Sequence, residues 1–164
     1  MKIFIVNGQG GAGKDTFEEF VGNCCCNGPA AKVSMVSYVK QIAEKFGWTG
    51  TKTDVDRLML SRLKDLLSDW DDSPFKTTVI ATKQMEKDGV EVCFIDAREP
   101  EDIKRLKEYF NCQTILVRRG EEKSYGNHAD DQVFSIDYDI EINNNGTLED
   151  LEETALTFYN TYII

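Results

Sequence analysis

The sequence has little positive charge and no long apolar run. Nineteen lysines and arginines stand against 29 aspartates and glutamates among 164 residues, so the formal net charge is −10 at pH 7. A field of this sign repels the phosphate backbones of DNA and RNA as well as anionic membrane surfaces. No stretch approaches the length of a membrane-spanning helix. We therefore expect neither a nucleic-acid polymer nor a membrane as a partner.

A disulfide framework is also missing. The five cysteines are odd in number, and three of them are adjacent, at positions 24–26. Neighbouring residues on a helix point about 100° apart, so adjacent thiols do not easily close around one tetrahedral ion. This pattern favours packed free thiols over a metal or redox site. Because the apolar run at residues 1–6 is also too short for a signal peptide, we expect a cytoplasmic protein.

Short apolar runs and helical periodicities alternate along the chain. Strands are predicted at 2–6, 32–36, 90–95, 114–117 and 138–142. Helices are predicted from 14 to near 27 and at 39–46, 54–70, 74–85, 100–110 and 148–158. This alternation predicts a three-layer α/β fold with a five-stranded parallel sheet, helices on both faces and ligands at the carboxyl ends of the strands. No repeat or linker is visible, so we expect one domain over residues 1–164.

The segment after the first predicted strand has the pattern of a phosphate-binding loop. Residues 8–14 fit G-x-x-x-x-G-K, but Asp15 stands where the strict pattern has Ser or Thr, and the hydroxyl follows at Thr16. Glycines allow several N–H groups to face a phosphate, and Lys14 and a helix N-terminus add positive charge. A glycine turn with a structural role alone is the alternative. The predicted nucleotide-binding residues here are Gly8, Gly10, Gly11, Ala12, Gly13, Lys14, Asp15 and Thr16.

Four segments resemble the P-loop nucleoside monophosphate kinases. Gly-Lys-Asp-Thr at 13–16 resembles phage-type deoxynucleoside monophosphate kinases and, more broadly, adenylate kinase. Ser-Tyr-Val-Lys at 37–40 is similar to their F-A-D-x-L-K segment, although Phe-Ala-Asp is absent. Asp-Ala-Arg-Glu-Pro at 96–100 resembles D-x-R-x-P, and residues 143–148 resemble the N-x-G-T-L turn after their last strand. The resemblance extends over nearly the whole chain.

This resemblance implies the P-loop NTPase fold with a short lid at about 119–135 and an acceptor-binding helical region at about 37–72. It implies a phosphotransferase that uses ATP and Mg²⁺ and transfers a phosphoryl group to a nucleoside or deoxynucleoside monophosphate. Two alternatives remain open. One is a kinase for another small phosphorylated metabolite, and the other is a non-catalytic nucleotide-binding module. The oligomeric state is not predicted.

Phosphoryl transfer needs cations around the reacting phosphates and oxygen ligands for the metal. Arg98 follows the third predicted strand, and the pair at 118–119 resembles lid arginines. The predicted catalytic residues are Lys14, Arg98, Arg118 and Arg119. The predicted metal ligands are Thr16, Asp15 and Asp96, with strand-end capping as the alternative role of the last.

The remaining predictions concern the acceptor and the adenine of the donor. A phosphate acceptor is already anionic near neutral pH, so no general base is required. The predicted acceptor-binding residues are Lys40, Arg57, Lys64, Arg98 and His128. For these residues a solvated helix face or an ordinary loop position is the alternative. The resemblance implies that Asn144 and Gly146 contact the adenine, and a turn that leads into a helix is the alternative there.

Overall fold

The computed structural model describes residues 1–26, 28–120 and 132–164. Its strands are β1 (Lys2–Asn7), β2 (Ala30–Ser34), β3 (Val92–Asp96), β4 (Gln113–Arg118) and β5 (Ile140–Asn143). Its α-helices are α1 (Lys14–Cys24), α2 (Ser37–Lys45), α3 (Asp54–Asp71), α4 (Ser73–Lys87), α5 (Pro100–Phe110) and α6 (Leu148–Tyr162). A short 3₁₀ turn covers Val133–Ser135.

The five strands form one parallel sheet in the order β2-β3-β1-β4-β5. The central strand β1 pairs in parallel with β3 and β4, and β4 pairs in parallel with β5. Parallel neighbours need crossover connections, and α-helices lie in those from β1 to β2, from β2 to β3 and from β3 to β4. The predicted α/β fold with a five-stranded parallel sheet is therefore confirmed.

Helices cover both faces of β1 because its side chains alternate. On one face Phe4 packs against Phe158 of α6, with ring centroids 5.0 Å apart, and Phe158 meets Phe17 of α1 at 5.3 Å. On the other face lies Ile5, which is fully buried, and α5 contacts β1 and β4. Aromatic contacts of this kind add to the free energy gained by burying apolar area. The carboxyl end of β1, where the glycine loop begins, is thus fixed between two packed layers.

Several predicted boundaries were wrong by a few residues, and both ends of β2 are shifted. This strand covers Ala30–Ser34 rather than 32–36. The N–H of Glu91 donates to the carbonyl of Pro29 at 2.9 Å, which brings the chain alongside β3 earlier than the apolar pattern indicated. The first helix ends at Cys24, since Cys25 is extended, and not near residue 27. The last strand begins at Ile140 instead of 138.

The chain divides into two compact units. The first consists of Met1–Lys32 and Met85–Ile164, and the second of Val33–Gln84. Within the second unit α2 packs against α3, and Thr53 caps α3 through reciprocal hydrogen bonds with Asp56. The single domain expected over 1–164 stays a prediction. Within the three described ranges, no helix combines the length and the apolar character needed to cross a membrane.

Candidate phosphate-binding site

The glycine loop joins β1 to α1 and is closely packed at both of its ends. Gly13 precedes α1 with a φ of 92°, a left-handed conformation that favours glycine. A Cβ on Gly13 would lie 2.3 Å from Nδ2 of Asn144, and one on Gly8 would lie 2.3 Å from the carbonyl oxygen of Val117. Both positions therefore require glycine because other parts of the chain approach the loop so closely.

The side chain of Lys14 bends back over the loop. Its Nζ donates to the carbonyl of Gly8 at 2.6 Å and to that of Gln9 at 3.1 Å. The ammonium group is thereby held against the loop at the N-terminus of α1, where the helix dipole is positive. Positive charge and backbone amides meet at this point, which is the arrangement that binds an anion.

Asn7 anchors the beginning of the loop. Its side chain is fully buried, and its Oδ1 accepts from the N–H of Gly8 at 2.8 Å. Its Nδ2 donates to the hydroxyl of Tyr138 at 2.8 Å and to the carbonyl of Arg98 at 3.4 Å. Tyr138 in turn donates to the carbonyl of Val133 at 2.7 Å, and burial raises its pKa to about 12. One amide thus links the glycine loop to the segments that follow β3 and precede β5.

Asn144 anchors the end of the loop. Its Nδ2 donates to the carbonyl of Ala12 at 2.9 Å, and its N–H donates to the carbonyl of Arg118 at 2.7 Å. The side chain is buried, with 6% of its area exposed. The amide predicted to contact adenine is therefore engaged by the loop itself. Gly146 has a local role as well, because a Cβ there would lie 2.3 Å from Oδ2 of Asp150, which caps α6 together with Thr147.

A cleft of about 160 Å³ opens beside the loop. Five residues predicted to bind nucleotide or phosphate line it together: Gly13, Thr16, Arg119, Asn144 and Gly146. Thr147, Leu148 and Leu151 complete its wall. The cleft offers a hydroxyl, a guanidinium group and backbone polar groups next to the end of the loop.

Carboxylates gather on another face of α1. The ammonium of Lys32 forms ion pairs with Asp15, with Oε2 of Glu18 at 2.6 Å and with Oδ2 of Asp96 at 2.8 Å. One oxygen from each of the three acids lies within 4.8 Å of the others. Residues 15 and 18 share this face because they are three positions apart, while Thr16 points about 100° away. Asp15 and Thr16, both predicted metal ligands, are therefore on different faces of the helix.

Burial and the close ion pairs shift the pKa values of Glu18 and Lys32 in this carboxylate cluster. Only 5% of Glu18 is exposed, and burial together with the nearby charge of Asp96 raises its pKa to about 8 despite the ion pair with Lys32. For Lys32 burial alone would lower the pKa, but hydrogen bonds to the three carboxylates outweigh it and raise the pKa. Oε1 of Glu18 and Oδ1 of Asp96 are buried without a hydrogen-bond partner among the described residues.

The sheet order and the glycine loop between β1 and α1 identify the fold. The chain has the P-loop NTPase fold. It is similar to shikimate kinase from Aquifex aeolicus vf5, with 15% identity, a TM-score of 0.50 and coverage of 98% of this chain and 99% of that one. It is also similar to TT1252 from Thermus thermophilus, with 16% identity, a TM-score of 0.51 and coverage of 98% and 97%. At such identities the likeness shows the fold alone. No protein-family model and no curated protein matches the chain.

The other predicted residues follow β3, end β4, belong to the second unit or lie outside the described residues. The side chain of Arg98 is exposed just past β3. The guanidinium group of Arg118 lies 5.3 Å from the ring centroid of Phe134 and 3.8 Å from Glu141. Residue His128 and the central part of the predicted lid, 121–131, lie outside the described residues. The remaining three belong to the second unit: Lys40 on α2, and Arg57 and Lys64 on α3.

The carboxylate cluster partly fits the predicted magnesium site. Asp15 and Asp96 lie together and offer carboxylate oxygens, the ligands that Mg²⁺ prefers. One buried oxygen of Asp96 has no hydrogen-bond partner within residues 1–26, 28–120 and 132–164. Two residues of the cluster, Glu18 and Lys32, were missed by the sequence analysis. A signal for Glu18 was present, since it follows Asp15 by three residues at the start of a helix. Lys32 gave no signal of its own.

Proposed function

We propose that the protein is an ATP-dependent phosphotransferase whose acceptor is a nucleoside or deoxynucleoside monophosphate. The observation that carries this proposal is the glycine loop, which is held at both ends by buried asparagines and closed by Lys14 at the N-terminus of α1. A preorganised ring of amides with one ammonium group stabilises charge on phosphate without reorganising during the reaction.

In this proposal the donor's base lies in the cleft beside Arg119. A guanidinium group can stack on an aromatic base, and the cleft adjoins both the loop and Thr16. The triphosphate would then run from this cleft onto the loop amides and Lys14. Asn144 supports the donor indirectly, by holding the carbonyl of Ala12.

We propose that magnesium binds on the face of α1 that carries Asp15. Asp15 and Asp96 would hold it there, directly or through water, and the ion would neutralise charge on the β- and γ-phosphates. Thr16 lines the other cleft, which supports a contact with donor phosphate rather than with the ion. The chain's own contribution is to keep two carboxylates next to the N-terminus of α1.

Arg98 is the proposed ligand of the acceptor phosphate, because it follows β3 at the carboxyl edge of the sheet, where ligands of such folds bind. Arg118 remains a proposed contact of the transferring group. The other proposed acceptor contacts are Lys40, Arg57, Lys64 and His128. With an anionic phosphate as nucleophile, no side chain has to act as general base.

A kinase for a different small acceptor is the second candidate. The similar structure from Aquifex aeolicus is a shikimate kinase, so this fold also serves acceptors that are not nucleotides. A hydroxyl acceptor would need a base, and Asp15 and Asp96 are the carboxylates closest to the loop helix that could serve. A non-catalytic nucleotide-binding module is the third candidate.

A coupled assay of ADP release from ATP and magnesium tests the proposal. The panel contains all ribo- and deoxynucleoside monophosphates, with phosphorylated metabolites and shikimate alongside. Release that depends on one or a few nucleoside monophosphates would support the proposal and name the substrate. Release with another acceptor would favour the second candidate. ATP binding without turnover on the whole panel would favour the module, and acceptor-independent release would indicate an NTPase.

A further inference from the structure

The ammonium group of Lys32 lies where a metal ion would be expected. It is surrounded by Asp15, by Glu18 at 2.6 Å and by Asp96 at 2.8 Å. Calcium and magnesium bind carboxylate oxygens at roughly 2.0–2.6 Å, so an ion at the same point would draw these oxygens inward by only a few tenths of an ångström. The three acids come from two elements, α1 and β3, which fixes their mutual positions.

Glu18 gives an independent indication that the cluster can bind a cation. Its side chain is buried, yet Oε1 accepts no hydrogen bond from any described residue. Burying a carboxylate without a full set of partners is costly, and leaving such an atom without one is rare in native proteins. The cluster therefore offers a free carboxylate oxygen to a positive ion.

Space for Lys32 to move is available next to the cluster. A cleft of about 250 Å³ borders it, and its walls include the small residues Gly22, Ala30 and Ala31. About 35% of the Lys32 side chain is exposed. Because the lysine stem has four flexible bonds, its ammonium group can leave the carboxylates without a movement of the backbone.

We propose that Asp15, Glu18 and Asp96 form a divalent-cation site in which Glu18 is a third carboxylate ligand and Lys32 occupies the position of the ion until the ion displaces it. The inference rests on the proposed function only where it takes Asp15 and Asp96 as magnesium ligands. It adds a ligand on α1 and a resident competitor on β2.

Direct binding of Mn²⁺ to the full chain without nucleotide tests this site. Free Mn²⁺ is measured by electron paramagnetic resonance during a titration. Glu18→Gln, which keeps the side-chain shape, should weaken binding by at least roughly tenfold. Lys32→Met, which keeps the aliphatic stem, should tighten it by roughly tenfold because a competing positive charge is gone. Glu19→Gln is the matched control, since Glu19 is an exposed neighbour that lines the same cleft, and it should bind as the wild type does.

The inference is overturned if Glu18→Gln binds Mn²⁺ like the wild type and Glu19→Gln, or if Lys32→Met folds and binds no more tightly. Should Lys32→Met fail to fold, the comparison of Glu18→Gln with Glu19→Gln decides alone. Phosphoryl transfer with unaltered Mn²⁺ binding in Glu18→Gln would reject this inference and keep the proposed function. If Mn²⁺ binding changes as predicted but no acceptor supports turnover, this inference is kept and the proposed function is rejected.

Discussion

Two faces of the first turns of α1 carry contrasting chemistry. One face presents Asp15 and Glu18 to Lys32 and Asp96, so it is a place for cations. The other presents Thr16 to the cleft with Arg119, where polar groups without a carboxylate are gathered. The N-terminus of the helix lies between them and attracts phosphate. Successive helical residues point about 100° apart. The adjacent residues Asp15 and Thr16 therefore belong to different faces, one with the carboxylates and one with the cleft.

The two faces also differ in how they are held. The cleft face depends on hydrogen bonds from buried amides, such as the bond of Asn144 to Ala12. The cation face depends on charges that burial makes costly, and there Glu18 and Asp96 retain oxygens with no hydrogen-bond partner in the part of the chain that the structure describes. Substitutions on the cleft face should therefore change donor binding, while those on the cation face should change metal binding.

Substitution of Lys14, at the helix N-terminus between the two faces, should have the largest effect on turnover. Lys14→Ala deletes the charge held against the loop, so turnover should fall by roughly 10²–10³-fold while the fold stays intact. Steady-state ADP release measures the loss, and circular dichroism checks the fold. Lys104→Ala on the exposed side of α5 is the control and should retain wild-type kinetics. Wild-type turnover in Lys14→Ala would remove the basis of the proposed function.

Substitutions of the two adjacent arginines should affect different steps, donor binding in one case and phosphoryl transfer in the other. Arg119→Ala should raise KM for ATP by roughly three- to tenfold, because its guanidinium group lines the cleft proposed for the base. Arg118→Ala should leave that KM almost unchanged and lower turnover instead, if its group leaves Phe134 to contact the transferring phosphate. Initial rates over a range of ATP concentrations distinguish the two. Equal KM values in Arg119→Ala and the wild type would place the base elsewhere.

The contrast between the faces also shows what a sequence can reveal. The glycine loop is contiguous, and its position between a strand and a helix follows from local patterns at residues 2–16. The sheet was equally predictable, since its strands are short apolar runs. Lys32 was not recognised because the predicted strand placed it at the amino end, remote from the ligand edge, whereas it is the third residue of β2. The two-residue difference between the predicted and the observed start of β2 determines whether Lys32 reaches Asp96.

Glu18 escaped prediction for a different physical reason. On α1 the apolar stripe contains Phe17, Phe20 and Val21, so a charged residue at 18 is expected to face water. Glu18 is buried by elements that are distant in sequence, and the periodicity of a helix contains no information about such contacts. Asn144 was identified as a site residue but with another role, because a turn motif does not show that its amide reaches Ala12, 132 residues away.

Asn144→Ala tests whether the cleft face depends on this amide. The substitution leaves the carbonyl of Ala12 buried without its donor, so the free energy of unfolding should fall by about 1–3 kcal/mol. KM for ATP should rise a few-fold as the loop loses its anchor, and Mn²⁺ binding without nucleotide should stay unchanged. Urea unfolding and the two binding measurements check this. A simultaneous loss of Mn²⁺ affinity would show that the two faces are coupled through the loop.

The smallest effect is expected at the far edge of the sheet. A substitution there should lower the stability of the fold and leave donor binding and metal binding unchanged. Asp139 precedes β5 and accepts from the N–H and hydroxyl of Thr114 at 2.8 Å each and from Lys107 at 2.7 Å. Burial alone would raise its pKa, but these bonds hold the pKa below the ordinary value of 3.8. The ionised carboxylate therefore stabilises the fold fully above pH 3.8, and this contribution is lost as the pH falls through the lower pKa of the folded state.

Asp139→Asn removes that charge while keeping an oxygen that can accept from Thr114. Because the pair with Lys107 is partly exposed and screened by solvent, the free energy of unfolding should fall by only about 0.5–1 kcal/mol at pH 7. The difference from the wild type should shrink in urea titrations at lower pH, as the wild-type carboxyl takes up its proton. A difference that stays constant with pH would assign the effect to packing. Any change in KM for ATP would mean that the far edge of the sheet is coupled to the loop, and the separation of the two faces would then depend on the whole sheet rather than on α1 alone.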